Sequence, residues 1–199
     1  MATDRSDKDP TVILLHYPSI LEDTINYIPP RVKIEISCLS MDEPTELRPI
    51  RSLIGESFDG EDTDAESLVR TVVPSRTFLE KLFLLAEEFQ KEKPRSVRMS
   101  RHLYDLEKLM DTEYGKEALS NRELYDAIVE HRKAYYALKY VNYDSHTPST
   151  INFTIPESAM EAWQDDYADM RRFFIYGESL EFDELMQKMR ELQERVRIM

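Results

Sequence analysis

The sequence predicts an α+β fold, with a few short strands in its first third and helices in most of the remainder. Only four glycines occur among 199 residues, and 33% of the residues are charged. This composition favours a helix-rich soluble protein over a sandwich or a barrel. Residues 31–37 alternate between apolar and polar side chains, whereas from residue 78 onward apolar residues recur at helical spacing.

Two strands are predicted near the start of the chain. Thr11–Tyr17 is a short apolar run that ends before a proline and is typical of a buried strand. In Arg31–Ser37 the apolar side chains alternate with polar ones, so we expect one face of this strand to be buried. Glu35 belongs to the opposite face, which is commonly exposed to solvent and less commonly faces a cleft where a carboxylate can bind a metal.

The segment from Met41 to Pro74 reads mostly as loop. Short ordered pieces are expected near Ile50–Ile54 and Leu68–Val73. Between them lies an acidic loop with six carboxylates: Glu56, Asp59, Glu61, Asp62, Asp64 and Glu66.

Two amphipathic helices, Thr77–Lys91 and Ser100–Met110, are predicted at the centre of the chain. Their apolar stripes have helical spacing: Phe78, Leu82, Leu85 and Phe89 in the first, and Met99, Leu103, Leu106 and Met110 in the second. Thr77 and Glu80 have the spacing of a capping box, so we expect the first helix to begin there.

Several charges lie beside these stripes. Lys81 is about 60° from Phe78 around the helix, so its ammonium must either extend to water or meet an anion. Arg98, Arg101, His102 and Asp105 fall along one flank of the second helix. That flank is either a solvated surface with an Arg101–Asp105 pair, or a set of charges held in fixed positions beside Lys81.

A net charge of −13 argues against a general nucleic-acid binder, which needs a basic face. From Lys91 to Lys108, however, six basic residues accompany three acidic ones. This local excess could bind a phosphate, or it could be a solvated connector.

Three further helical segments are predicted. Asn121–Lys139 reads as one long helix with an inner face of Leu124, Ile128, His131, Tyr135 and Leu138. Ile151–Ile155 is a small strand-like run, and it precedes a helix over Glu157–Phe174. The last helix begins near Phe182 with a seam that either packs onto the rest of the protein or forms a dimer contact.

Several function classes are excluded by the sequence. No apolar run reaches the roughly 18 residues of a membrane span, and Met1–Pro10 lacks the hydrophobic core of a signal peptide. The lone Cys38 excludes an intrachain disulfide, and the expected compartment is the cytosol. Walker A, dinucleotide-binding, HExxH and nucleophile-elbow motifs are absent.

Several segments follow one another in a characteristic order: Val12–Ser19, Val32–Glu35, Arg76–Lys81, Arg101–Leu106, Asp166–Tyr167, Met170, Ile175–Glu178 and Phe182–Leu185. This order resembles the nucleotidyltransferase family of AbiEii/AbiGii-type toxins, and the resemblance covers about residues 12 to 195. It implies the remnant of a small nucleotidyltransferase sheet in residues 1–74, followed by a helical domain in residues 75–199. It also implies a toxin or phage-defence protein that transfers a nucleotide from an NTP to an acceptor such as tRNA. Mg²⁺ is the implied cofactor and a cognate antitoxin the implied partner.

The resemblance also implies roles for individual residues. Glu35 matches the strand-borne acid of the metal site, and Lys81 matches the lysine that contacts the nucleotide phosphates. Asp105 matches the catalytic aspartate of the second helix. Arg76 and Arg101 match supporting cations.

One expected motif is missing from the sequence. The family's GSxxxDxD motif, which supplies the first two metal carboxylates, should precede residue 12. The acidic loop Asp59–Asp64 follows Glu35 and lacks the Gly-Ser turn, so it is no substitute. We therefore expect the chain to correspond to the C-terminal two-thirds of such an enzyme and to be inactive alone. It would be either an enzyme component completed by a separate chain with the missing motif, or a non-catalytic module that binds an antitoxin or RNA.

Overall fold

The computed structural model describes residues 3–4, 11–18, 29–36, 44–58 and 66–199, and it confirms the α+β class. Five strands and seven α-helices are found within these residues. In chain order they are β1 Thr3–Asp4, β2 Thr11–His16, β3 Arg31–Ile36, β4 Thr45–Arg51, α1 Leu53–Ser57, β5 Glu66–Val72, α2 Pro74–Glu88, α3 Arg101–Met110, α4 Glu113–Ser120, α5 Arg122–His131, α6 Met160–Phe173 and α7 Phe182–Arg197.

The strands form two small antiparallel sheets. The first has the order β1-β2-β3, with Leu14 opposite Lys33 and Val12 opposite Glu35. The second pairs β4 with β5, from Thr45 opposite Val72 to Arg51 opposite Glu66. The ordered pieces predicted near residues 50–54 and 68–73 are therefore parts of β4, α1 and β5. The tip of the acidic loop, residues 59–65, lies outside the described residues.

The apolar face predicted to be buried in β3 is half-exposed, so that prediction is wrong. Val32, Ile34 and Ile36 are 52%, 41% and 50% exposed, and Leu15 of β2 is 44% exposed. The physical reason is that the buried core of the described chain lies among the helices after residue 75. Alternation within the strand identified a face but could not show that another layer covers it.

The helical core confirms the two central apolar stripes. Phe78, Leu82 and Leu85 of α2 are completely buried, and Phe89 is partly buried against the same core. Met99 and the three predicted α3 residues are also buried: Leu103, Leu106 and Met110. Helix α2 packs against α3, α4 and α5, so it is the central helix of the described fold.

Helix α2 begins three residues before the predicted capping box. Pro74 occupies the first turn and Val73 is the N-cap residue, without a side-chain cap. Proline is well suited to the first turn because the N–H it lacks would have no helical partner there. The capping role of Thr77 and Glu80 is therefore wrong, since both lie inside the helix.

The start of α3 is fixed by a carboxylate from α6. Asp166 accepts hydrogen bonds from the Arg98 amide (2.5 Å), the Ser100 amide (3.0 Å) and the Ser100 hydroxyl (2.5 Å). Arg98 has a φ of 59°, a backbone conformation that costs energy for a side chain other than glycine. Asp166 thus stabilises the turn that directs α3 against α2.

Helix α4 was not predicted from the sequence. Thr112 caps its start by accepting a hydrogen bond from the Gly115 amide. A Cβ atom at Gly115 would lie 2.3 Å from the carbonyl oxygen of Leu109. The glycine therefore permits the close approach of α4 to the end of α3.

The predicted long helix over Asn121–Lys139 is shorter and changes its pitch. Asn121 caps α5, and a π-helical turn over Arg132–Tyr136 follows His131. This wider turn buries Arg132 to 4% exposure, while Tyr135 is 62% exposed. The placement of Tyr135 on the inner face is therefore wrong, because a constant helical period does not continue through the π turn.

The last two helices confirm most of the remaining predictions. Trp163, Tyr167 and Met170 of α6 are buried, whereas Phe174 lies beyond the helix and is 45% exposed. The apolar seam of α7 packs onto α3 and α6. This confirms the first predicted alternative, in which the seam packs onto the rest of the protein.

The run Ile151–Ile155 is extended but forms no strand. Its three apolar side chains are buried, and the backbone is held by Gln193 of α7. The Gln193 amide group donates to the Ile151 carbonyl over 2.8 Å and accepts from the Phe153 amide over 3.3 Å. The Gln193 side chain thus supplies hydrogen bonds to this run that a neighbouring strand would otherwise supply.

In the part of the chain that the structure describes, no helix is both long enough and apolar enough to cross a membrane.

Candidate functional site

A cleft of about 360 Å³ opens between α2, α3 and the π turn. Its lining is rich in ionisable and polar side chains: Arg76, Thr77, Glu80, Lys81, His102, His131, Arg132 and Tyr136, with Val72 and Leu84 as apolar members. A concave site in which several polar groups converge is the usual form of a small-molecule binding site.

Lys81 and Asp105 form an ion pair at this cleft. The Lys81 ammonium nitrogen lies 2.6 Å from Oδ2 of Asp105, and the two side chains are 23% and 36% exposed. Lys81 therefore meets an anion instead of extending into water, and that anion belongs to α3. Since Asp105 pairs with Lys81, the alternative Arg101–Asp105 pair is not formed within the described residues.

A network of buried charges lies behind this pair. Glu80 accepts from Nη2 of Arg76 over 2.7 Å and also pairs with Nη1 of Arg132. Arg132 donates two hydrogen bonds to Glu87, from Nε over 2.7 Å and from Nη2 over 2.5 Å. The network joins α2 to the π turn and fixes the positions of two guanidinium groups at the cleft.

The charge of Arg132 is maintained by its partners. Burial by itself would lower the pKa of this guanidinium, but the hydrogen bonds and charge of Glu87, together with the charge of Glu80, outweigh burial and raise it. The Arg132 guanidinium also lies 4.5 Å from the centre of the Tyr136 ring, a favourable cation–π distance. The π turn therefore presents a fixed cation and an aromatic ring to the cleft.

His102 is the histidine of α3 that lines the cleft, and it is only 7% exposed. Burial lowers the pKa of His102 to about 3, and the nearby charges of Lys81, Arg101 and Arg95 act in the same direction. The imidazole is therefore uncharged at neutral pH.

The structure brings together some of the predicted site residues and separates others. Arg76 and Lys81 line the cleft, and Asp105 contacts Lys81. Arg101 is exposed on α3 and does not line the cleft. Glu35 lies on β3, where its carboxylate is 2.6 Å from the ammonium of Lys33 and is 59% exposed.

The described donors do not fit a divalent metal centre. Within residues 3–4, 11–18, 29–36, 44–58 and 66–199, no group of three or more His, Cys, Asp or Glu residues is placed to hold a metal ion. A Mg²⁺ site needs several oxygen ligands in near-octahedral geometry, and Glu35 contributes one carboxylate that already faces a lysine.

Sequence reasoning missed Arg132 and its ionic partner Glu87. A usable signal was present, because Tyr125, Ile128 and Arg132 have the three- and four-residue spacing of one helix face, and the first two are completely buried. An arginine on that face needs a buried anion, yet Glu87 lies 45 positions away. No local pattern could identify it.

Comparison with known proteins identifies the family. No curated protein and no solved structure matches the chain significantly. The family model described as the nucleotidyl transferase AbiEii toxin of type IV toxin–antitoxin systems matches residues 2–188. This match spans most of the chain and agrees with the resemblance carried by the segments around Lys81 and Asp105. The protein belongs to the AbiEii nucleotidyl transferase toxin family.

Proposed function

We propose that the cleft binds the phosphates of a nucleoside triphosphate, and that the protein transfers the nucleotide to an acceptor hydroxyl of RNA, with tRNA as the preferred acceptor. Membership of a type IV toxin–antitoxin family implies a nucleoside triphosphate substrate and an antitoxin partner. The observation that carries the proposal is the 2.6 Å contact between Lys81 and Asp105 at the cleft. A role in phage defence follows from the same proposal.

The reaction needs charge balance and positioning more than covalent catalysis. An acceptor oxygen attacks the α-phosphorus, the bond from that phosphorus to the bridging oxygen breaks, and pyrophosphate leaves. Lys81 can balance charge on the phosphates. Asp105 can orient the acceptor hydroxyl and take its proton, which is the usual role of a carboxylate beside a nucleophilic hydroxyl.

The two arginines have different roles in this proposal. Arg76 is 2% exposed and bound to Glu80, so it maintains the positive side of the cleft from a fixed position. Arg101 is exposed and can contact only a ligand that extends beyond the cleft, such as the RNA acceptor.

The proposal includes Mg²⁺, which would neutralise the triphosphate, with Glu35 as one ligand. Because the described donors do not form a metal centre, the remaining carboxylates would come from a separate chain.

The proposed domain division agrees with the position of α2. Residues 1–74 would be a partial nucleotidyltransferase-like segment and residues 75–199 a helical domain. Helix α2 begins at Pro74, and in the described residues all five strands precede it.

The test measures ATP and CTP binding by calorimetry, and transfer of labelled nucleotide to total tRNA, with and without Mg²⁺. We expect Lys81→Ala to weaken triphosphate binding about tenfold, the loss of one charge-assisted contact. Lys116→Ala, which changes an exposed lysine of α4, serves as the matched control. Asp105→Asn should retain binding, and in the protein completed by a separate chain with the missing motif it should lose transfer.

Two results would contradict parts of this proposal. Equal triphosphate affinity in the wild type and in Lys81→Ala would exclude the phosphate role of Lys81. Absence of Mg²⁺-dependent triphosphate binding would instead favour the alternative function, a non-catalytic module that binds an antitoxin or RNA.

A further inference from the structure

The imidazole of His102 is almost completely buried and yet has no hydrogen-bond partner in the described part of the chain. Its Nδ1 is fully buried without a partner among the described residues. Nε2 also forms no hydrogen bond with the described residues. Unlike Nδ1, however, Nε2 is not completely buried. Because His102 lines the cleft, the ring has one nitrogen sealed in the protein and the other accessible from the cleft.

This arrangement selects a tautomer. A neutral imidazole has one N–H donor and one acceptor nitrogen. A buried N–H group without a partner is the rarer and more costly situation, so the proton is placed better on Nε2 than on the sealed Nδ1. His102 therefore presents an N–H donor to the cleft and keeps an acceptor inside.

The other strong donors nearby are already engaged by carboxylates. Lys81 donates to Asp105 and Arg132 donates to Glu87, so each of these donors already has a carboxylate acceptor. His102 differs from both because its Nε2 has no acceptor among the residues that the structure describes. A ligand oxygen that enters the cleft beside Lys81 can accept from His102 without displacing a protein carboxylate.

We infer that His102 is a ligand-binding residue of the cleft, donating a hydrogen bond from Nε2 to a phosphate oxygen whose charge Lys81 balances. This inference rests on the proposed function, since it assigns a second phosphate contact to the same cleft. The phosphate has two sources, the triphosphate of a nucleotide or the backbone of the RNA acceptor, and the shared chemistry is a phosphoryl oxygen held by one cation and one neutral donor.

The experiment compares two substitutions in the full chain. His102→Phe keeps a flat ring but removes the donor, whereas His102→Gln keeps an N–H group at the end of the side chain. Binding of inorganic triphosphate, ATP and a short RNA is measured by calorimetry at pH 7.5. We expect His102→Phe to weaken binding of inorganic triphosphate and ATP about tenfold, and His102→Gln to remain within threefold of the wild type. Thermal unfolding of each variant confirms that it is folded.

Nitrogen NMR of the His102 ring supplies a readout that does not depend on affinity. We expect the Nε2–H tautomer in the free protein and a shift of Nε2 when inorganic triphosphate is added. An Nδ1–H tautomer, or a ring signal unchanged by both saturating triphosphate and the short RNA, overturns the inference even if a substitution alters the affinity.

The outcomes separate this inference from the proposed function. Weaker binding in Lys81→Ala but not in His102→Phe overturns the role of His102 and leaves the phosphate site intact. Weaker binding in His102→Phe but not in Lys81→Ala supports His102 and overturns the role of Lys81. If only RNA binding depends on His102, the phosphate is that of the acceptor backbone. A wild-type protein that binds none of the three probes overturns both proposals.

Discussion

Arg132 and Glu87 form a two-point ion pair inside the helical core, with both side chains only 5% exposed. The contact joins the π turn to α2 across 45 residues of sequence. It therefore fixes one side of the cleft independently of the Lys81–Asp105 pair.

Arg132→Met should destabilise the protein by about 3 kcal/mol, because it leaves the Glu87 carboxylate buried without its partner. The double variant Arg132→Met with Glu87→Met should recover much of that loss, since removing both charges also removes the cost of burying them. Urea unfolding measures both free energies. A single variant within 1 kcal/mol of the wild type would show that Glu87 can reach water.

Lys81→Ala and Glu35→Gln should leave the free energy of unfolding within about 1 kcal/mol of the wild type, because partly exposed ion pairs contribute little. Lys81 and Asp105 are 23% and 36% exposed, and Glu35 is 59% exposed. Thermal unfolding of the purified variants checks this. A loss well above 1 kcal/mol would identify either residue as a structural one and would complicate its use as a binding variant.

The sequence predicted the parts of this fold that depend on local periodicity. Helical spacing identified the buried stripes of α2 and α3, and with them the side of α2 on which Lys81 lies. Helical spacing could not identify the partner of Lys81, because on the flank of α3 Asp105 could equally well pair with Arg101. Contacts such as Arg132 with Glu87 depend on how distant helices are packed, and the π turn breaks the constant period on which the inner face of α5 was predicted.

Asp166→Asn should cost about 2 kcal/mol, because the carboxylate accepts three hydrogen bonds at the start of α3 and an amide group offers one acceptor oxygen. Asp165→Asn is the matched control, since its neighbouring carboxylate is exposed. Chemical denaturation compares the two. If both variants unfold at the same denaturant concentration, Asp166 does not hold the turn at Arg98.

Gly115→Ala should destabilise the protein by about 2 kcal/mol, in the range of other overpacked sites. The new Cβ would lie 2.3 Å from the Leu109 carbonyl oxygen and 2.9 Å from Cα of Met110, both backbone atoms that cannot rotate away. Lys116→Ala, at the next position of α4, is the control. Differential scanning calorimetry should show a lower Tm for Gly115→Ala alone, and equal Tm values would mean that α4 shifts at no cost.

Stability should fall as the pH is lowered below about 6.5, partly because of two buried histidines. His146 is 2% exposed, and burial, with a contribution from the charge of Arg132, lowers its pKa to about 4. His102 behaves in the same way, with a pKa of about 3. Between pH 6.5 and 4 the unfolded chain binds protons at these residues while the folded chain does not. Each histidine therefore lowers the free energy of unfolding by at most about 1.4 kcal/mol for every unit that the pH falls within this window.

Two variants test whether the protonation of His146 causes this loss of stability at low pH. His146→Gln should flatten the pH dependence of the urea midpoint between pH 7 and pH 5, because its side chain does not titrate. His16→Gln, which changes an exposed histidine of β2, is the matched control. If His146→Gln retains the full slope of the wild type, the loss of stability at low pH belongs to other groups, because His146 can contribute only while its imidazole stays neutral in the folded core.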